Sequence, residues 1–119
     1  MKVTLVIGAS LKEERYSNRA IKKLKANNLE VVAIGLREGE VVGVSIDTEK
    51  VSYKNIDTVT LYLNPKRQEE YYNYIISLAP KRVIFNPGTE NMEFVKLLQE
   101  NNIASEIACT LVLLATNQY

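Results

Sequence analysis

The sequence predicts an α/β fold: a doubly wound, parallel sheet of about five strands with helices on both faces, stacked as three layers, α/β/α. Three observations predict it. Short apolar runs rich in β-branched residues recur along the chain without the alternation of a half-exposed strand. Segments with apolar residues three and four positions apart lie between them. Cap and stop residues mark the borders between the two patterns. Buried strands alternating with helices imply parallel pairing through right-handed crossovers.

Val3 to Ile7 reads as a strand buried on both faces. Ser17 or Asn18 caps a helix to about Asn27, with Ala20, Ile21 and Leu24 turned inward and Asn28 as a left-handed stop. Val31 to Ile34 is a second buried strand, closed by Gly35. From Arg37 to about Asn55 the chain is glycine-broken and polar, and it reads as an irregular connection. Thr58 to Leu63 is the third strand. Asn64 and Pro65 then form a cap and first turn, because proline's missing N–H costs nothing there, and the helix runs to Ala79 ahead of Pro80. Arg82 to Phe85 is the fourth strand, and Thr89 caps a helix to about Asn101 with Phe94, Val95, Leu97 and Leu98 inward. Ile103 to Ile107 is a fifth, weaker strand, followed by the apolar stretch Leu111 to Ala115. These patterns together are Rossmann-like.

The 119 residues suit one domain, 1–119, and 46% hydrophobic content is enough for a single core. Fifteen basic and fourteen acidic residues leave a net charge of +1, so no global field favours nucleic acid or a membrane surface. No stretch approaches a membrane span, and the N-terminus lacks a signal-peptide pattern. Cys109, the one cysteine, has no internal partner for a disulfide, which suits a reducing cytoplasm. There is no histidine. That excludes chemistry through an imidazole base or a phosphohistidine, and it argues against a zinc site; no metal ligand set and no catalytic residue is expected. The composition suits binding better than transformation.

Assigning the strands the order 3-2-1-4-5 puts the topological switch between the first and fourth. Ligands of such sheets sit beyond the carboxyl ends of the strands at that point. Two segments then face the crevice: Gly8, Ala9 and Ser10 with their loop, and Asn86 to Asn91. Gly8 permits a sharp turn and a close approach, and Ser10 with the following amides can point at an anion. Ser17, Asn18 and the helix start behind them add donors. A dinucleotide turn would carry two more glycines, and they are missing. Lys12, Arg15 and Arg19 lie in or beyond the loop, and Arg37 follows the second strand, where an arginine suits an extra ribose phosphate. Both NADP and coenzyme A carry one. Pro87 and Gly88 are a turn signal, with Glu90 favourable at the following helix start. Cys109, without a base to activate it, reads as a small buried residue.

The motifs VIGAS, ERYSNRA, the strand ending before Arg37, and NPGTEN resemble, in this order, the small stand-alone bacterial CoA-binding proteins. Those are similar in turn to the N-terminal CoA-binding domain of the succinyl-CoA synthetase α subunit. The resemblance spans Val3 to about Cys109. It implies that Gly8, Ala9, Ser10, Arg15, Ser17 and Asn18 hold the pyrophosphate of coenzyme A, and that Arg37 lies near the adenosine 3′-phosphate. It places Asn64 and Pro65 along the adenine side, and it matches Pro87, Gly88, Glu90 and Asn91 to the family's Pro-Gly-x-Glu-Asn turn. The chain departs from the pattern at Gly35-Leu36, where many relatives have Asn-Pro, and at Ile107-Ala108-Cys109, where Asp-Arg-Cys is usual.

The resulting expectation is a cytoplasmic protein that holds CoA or an acyl-CoA without transforming it. Three other outcomes remain open: an NADP-dependent enzyme, a thiol-redox enzyme using Cys109, and an interaction module that lost its ligand. Tyr71, Tyr72 and Tyr74 are more than one inner helix face holds, so some lie outside; ordinary amphipathic packing is the expectation, with a protein partner or a second copy as the alternative.

Overall fold

The computed structural model describes residues 2–119. In chain order the elements are β1 (Val3–Ala9), α1 (Tyr16–Ala26), β2 (Glu30–Gly35), β3 (Gly39–Val41), β4 (Val44–Asp47), β5 (Ile56–Leu61), α2 (Pro65–Gln68), a 3-10 turn (Glu69–Tyr71), α3 (Tyr72–Leu78), β6 (Arg82–Phe85), α4 (Met92–Glu100), β7 (Ala104–Ile107) and α5 (Thr110–Ala115). Seven strands form one sheet in the order β3-β4-β2-β1-β5-β6-β7. All neighbours are parallel except β3 and β4.

The count is seven strands, not five, and the two extra ones lie in the stretch expected to be irregular. Val42 and Gly43 both take positive φ, 42° and 85°, in a two-residue turn that pairs β3 with β4. Such mirror-image turns match the twist of the flanking strands. A valine there hides the signal, since asparagine or glycine is the usual marker. The hairpin also corrects the strand order. β4 occupies the outer edge of β2, so β5 pairs with β1 instead, and the switch lies between β1 and β5 rather than between the first and fourth predicted strands.

Alternation along the central strands feeds two cores. On one face Leu5, Ile7, Val59, Leu61, Val83 and Phe85 meet Ile75 of α3 and Phe94 and Leu98 of α4. Phe94 stacks on Tyr72 at 4.4 Å and meets Phe85 edge-on at 5.9 Å. On the other face Val6, Ala33 and Ile46 meet Ile21 and Leu24 of α1 and Leu114 of α5. Each of these side chains larger than alanine stabilises by about 1.5–3 kcal/mol relative to exposure.

Three helix boundaries differ from expectation. α1 begins before Ser17 and Asn18, with Arg15 at the cap position and no side-chain cap; both expected caps turn inward and are buried. α4 is capped by Asn91, whose Oδ1 accepts from the Phe94 amide, while Thr89 donates its hydroxyl to the Asn86 carbonyl. The helix expected from Pro65 to Ala79 is interrupted by the 3-10 turn and its last residue is Leu78, ahead of the left-handed Ala79 (φ 50°). Two boundaries fall where expected. Asn28 is left-handed at φ 60°, and Asn64 accepts from the Arg67 amide with Pro65 opening α2.

Candidate functional site

β1, β2 and β5 end side by side, and two glycines let them close. Gly8 has φ +95°, and a β-carbon there would lie 2.9 Å from the Tyr62 carbonyl oxygen after β5. At Gly35 a β-carbon would lie 2.3 Å from the Ala9 carbonyl oxygen. Past Ala9 the chain leaves the sheet as a loop whose shape is held by few bonds. The Ser10 hydroxyl accepts from the Lys12 amide at 3.1 Å, and Asn18 donates to the Ser10 carbonyl at 2.9 Å from inside α1. The first turn of α1, lacking a side-chain cap, keeps amide donors free at the loop's far end.

Above these strand ends lies a cavity of about 720 Å³, inside the range of roughly 300–1,000 Å³ usual for small-molecule sites. Of the thirteen candidate residues, Gly8, Ala9, Ser10, Arg15, Ser17, Arg37, Asn64, Pro87 and Gly88 line it. The other four stand behind the lining. Asn18 supports Ser10. Pro65 opens α2. Glu90 accepts from the Gly88 amide at 2.8 Å. Asn91 caps α4 and donates to Gln68 at 2.9 Å and to the Tyr72 hydroxyl at 2.8 Å.

Buried amides brace the far wall. Gln68, fully buried, donates to the carbonyls of Leu63 and Thr89, both at 2.8 Å, so it ties the end of β5 to the turn after β6. Asn86 donates to Thr60 (2.6 Å) and to the Leu61 carbonyl (2.9 Å), and it accepts from the Thr110 amide at 2.9 Å. Through that pair of amides the turn at Pro87 and Gly88 reaches the cavity, although β6 stands one strand away from the switch.

The electrostatics are one-sided. Lys12, Arg15, Arg37 and Arg67 line the cavity, and no Asp or Glu does. Among the described residues none of the four takes part in an ion pair. In a chain whose charges nearly cancel, four unpaired cations facing one crevice make a local positive field.

Tyr62 lines the cavity beneath Gly8, and its hydroxyl is enclosed with no hydrogen-bond partner. Burial is the main force that pushes its pKa up to about 12. The nearby Thr60 and Thr110 hydroxyls oppose the rise but are engaged with one another at 2.8 Å. Cys109, half-buried, precedes α5 and stands outside the cavity lining. Among the described residues no group of three acidic, cysteine or histidine side chains is placed to hold a metal, and no helix is long and apolar enough to cross a membrane.

Sequence reasoning missed several lining residues. Leu11, Tyr16 and Leu36 are large, apolar and exposed, and all three border the cavity. Tyr62 and Leu63 follow directly from the corrected switch, since β5 adjoins β1. Arg67 and Tyr71 were within reach: they sit three and seven residues beyond a clear cap, Asn64, the first on α2 and the second in the 3-10 turn after it.

The family model described as CoA binding domain matches residues 2–115. No curated protein matches the chain. Among solved structures, the chain is 48% identical to an uncharacterized protein, with a TM-score of 0.97 and coverage of 100% of this chain and 98% of that one. It is 27% identical to a hypothetical protein from Pyrococcus horikoshii OT3, with a TM-score of 0.80, covering 92% of this chain and 78% of that one. A dinucleotide-forming acetyl-coenzyme A synthetase 1 from Ca. Korarchaeum cryptofilum shares the fold at 15% identity and a TM-score of 0.72, over 87% of this chain and 25% of that one.

Proposed function

The chain belongs to the CoA-binding domain family, and from that premise we propose that it holds CoA or an acyl-CoA in the crevice above β1, β2 and β5. The observation that carries this reading is the cavity at the switch point, lined by four unpaired cations and no carboxylate. CoA brings about four negative charges near neutral pH, two on the diphosphate and two on the ribose phosphomonoester.

The residues present fit such a ligand. Gly8, Ala9 and Ser10 let the backbone approach a diphosphate, whose oxygens would take the loop amides, the first amides of α1, Ser17 and the charges of Lys12 and Arg15. Asn18 contributes by holding the Ser10 carbonyl. Arg37, two residues beyond β2, takes the 3′-phosphate. Asn64 and Pro65 set the adenine side, and Pro87 and Gly88, braced by Glu90 and Asn91, close the crevice from β6. The chain acts as one Rossmann-like domain in the cytoplasm and adds no chemistry of its own. It has no imidazole, and its one thiol lies off the cavity lining.

Calorimetric titration with CoA, dephospho-CoA and NADP tests the reading. CoA should bind about 10- to 100-fold tighter than dephospho-CoA, the worth of one or two charge-assisted contacts. The affinity should weaken as salt is raised. Tighter NADP binding would replace CoA with a dinucleotide. Binding of none of the three would leave an interaction module that kept the fold.

A further inference from the structure

We propose that Arg67 is a second cation for the ribose phosphomonoester, approaching from the β5 side of the crevice opposite Arg37. This rests on the CoA reading. Four observations carry it. Arg67 is anchored at its backbone: its amide donates to the Asn64 side chain at 2.9 Å, and Pro65 fixes the first turn of α2. Arg67 lines the cavity and, among the described residues, its guanidinium has no carboxylate within 4 Å. The neighbouring Glu70 is engaged with Lys50 at 3.7 Å.

Beside Arg67 stands Tyr71, which also lines the cavity. Its ring is held by Lys50 at 5.1 Å and by the edge of Tyr74 at 6.3 Å. Burial, followed by the charge of Glu70, raises the Tyr71 pKa, and the Arg67 charge opposes the rise; the two residues are four positions apart and line the same cavity. A cation next to an aromatic ring matches a ligand end that joins a base to a phosphate.

Charge then divides between the loop after β1 and its two flanks, Arg37 beyond β2 and Arg67 beyond β5. Lys12 and Arg15 lie on the loop that receives the diphosphate, with about two negative charges. A phosphomonoester carries about two as well, and Arg37 alone would leave one of them unmatched. Arginine's planar fork suits a phosphate better than a lysine ammonium does.

The test is titration of the wild type, Arg37→Gln, Arg67→Gln and Arg67→Lys with CoA and dephospho-CoA. Arg67 is exposed, so thermal unfolding should be unchanged in its variants. Arg67→Gln should weaken CoA by about tenfold or more while leaving dephospho-CoA within about twofold, and Arg67→Lys should recover part of the loss. Equal weakening of both ligands would move Arg67 to the diphosphate and overturn the assignment. So would no change in either, which would leave a solvated side chain. Failure of the wild type to bind CoA is a different result: it removes the underlying reading, and this assignment with it.

Discussion

Gly8 and Gly88 share a positive φ and differ in their surroundings, so the pair sets the cost of a close approach apart. Gly8 has φ +95° and Gly88 has φ +91°. A β-carbon at Gly88 meets nothing within 4 Å, so Gly88→Ala carries only conformational strain, about 1–2 kcal/mol. At Gly8 the same atom would lie 2.9, 3.0 and 3.1 Å from the carbonyl oxygen, carbonyl carbon and β-carbon of Tyr62. Two of these belong to the backbone, and rotating a side chain does not relieve them. β5 would have to shift against β1, while both strands are buried on both faces. Overpacking of that kind costs about 1–3 kcal/mol more. Gly8→Ala should therefore lose roughly 2–5 kcal/mol in total. For a chain of this length that lowers the unfolding midpoint by about 3–6 °C per kcal/mol. Urea unfolding and thermal scans followed by circular dichroism would read both variants. Equal losses for the two substitutions would refute the argument that β1 and β5 close through the absence of a side chain at Gly8.

Val42 is an exposed β-branched residue at φ 42°, so Val42→Asn should stabilise by about 1 kcal/mol in urea unfolding. Asn86→Leu would strand the Thr110 amide and the Leu61 carbonyl inside the protein; a loss of about 2–4 kcal/mol is expected in the same assay. Tyr62→Phe removes an enclosed hydroxyl without a partner and should change stability at neutral pH by less than about 0.5 kcal/mol. Its effect appears in alkali. Burial raises the folded-state pKa from 10.0 to about 12, so the protonated form favours the fold. That contribution is complete below pH 10 and is lost as pH climbs through 12. The variant should lose less stability than the wild type over that interval, and phenolate absorbance should show one late-titrating tyrosine fewer.

The five expected strands and their alternation with helices were legible chiefly because uninterrupted apolar runs such as Leu5 to Ile7 and Val83 to Phe85 have one home, the inside of a sheet covered on both faces; the edge strand β7 is only partly buried. The hairpin was not legible, because its turn uses Val42 where turn chemistry calls for asparagine or glycine, and its strands hold only three and four residues. Missing it displaced the switch point, since nothing in the third strand's own residues says which edge it joins. The loop at Gly8 and the cation at Arg37 could be found because their positions follow from strand ends alone. Cap assignments failed for a different reason. Ser17, Asn18 and Thr89 all favour caps, yet each is buried; Asn18 donates to the Ser10 carbonyl and Thr89 to the Asn86 carbonyl, while Ser17 lines the cavity.

Leu11 gives the hairpin a further consequence. Its side chain covers Gly39 so tightly that a β-carbon there would lie 2.6 Å from it. The loop that frames the cavity thus rests its weight on the outermost strand of the sheet. Any molecule that quiets this loop should also slow hydrogen exchange at the amides of Gly39 to Asp47, so a remote sheet margin reports on occupancy.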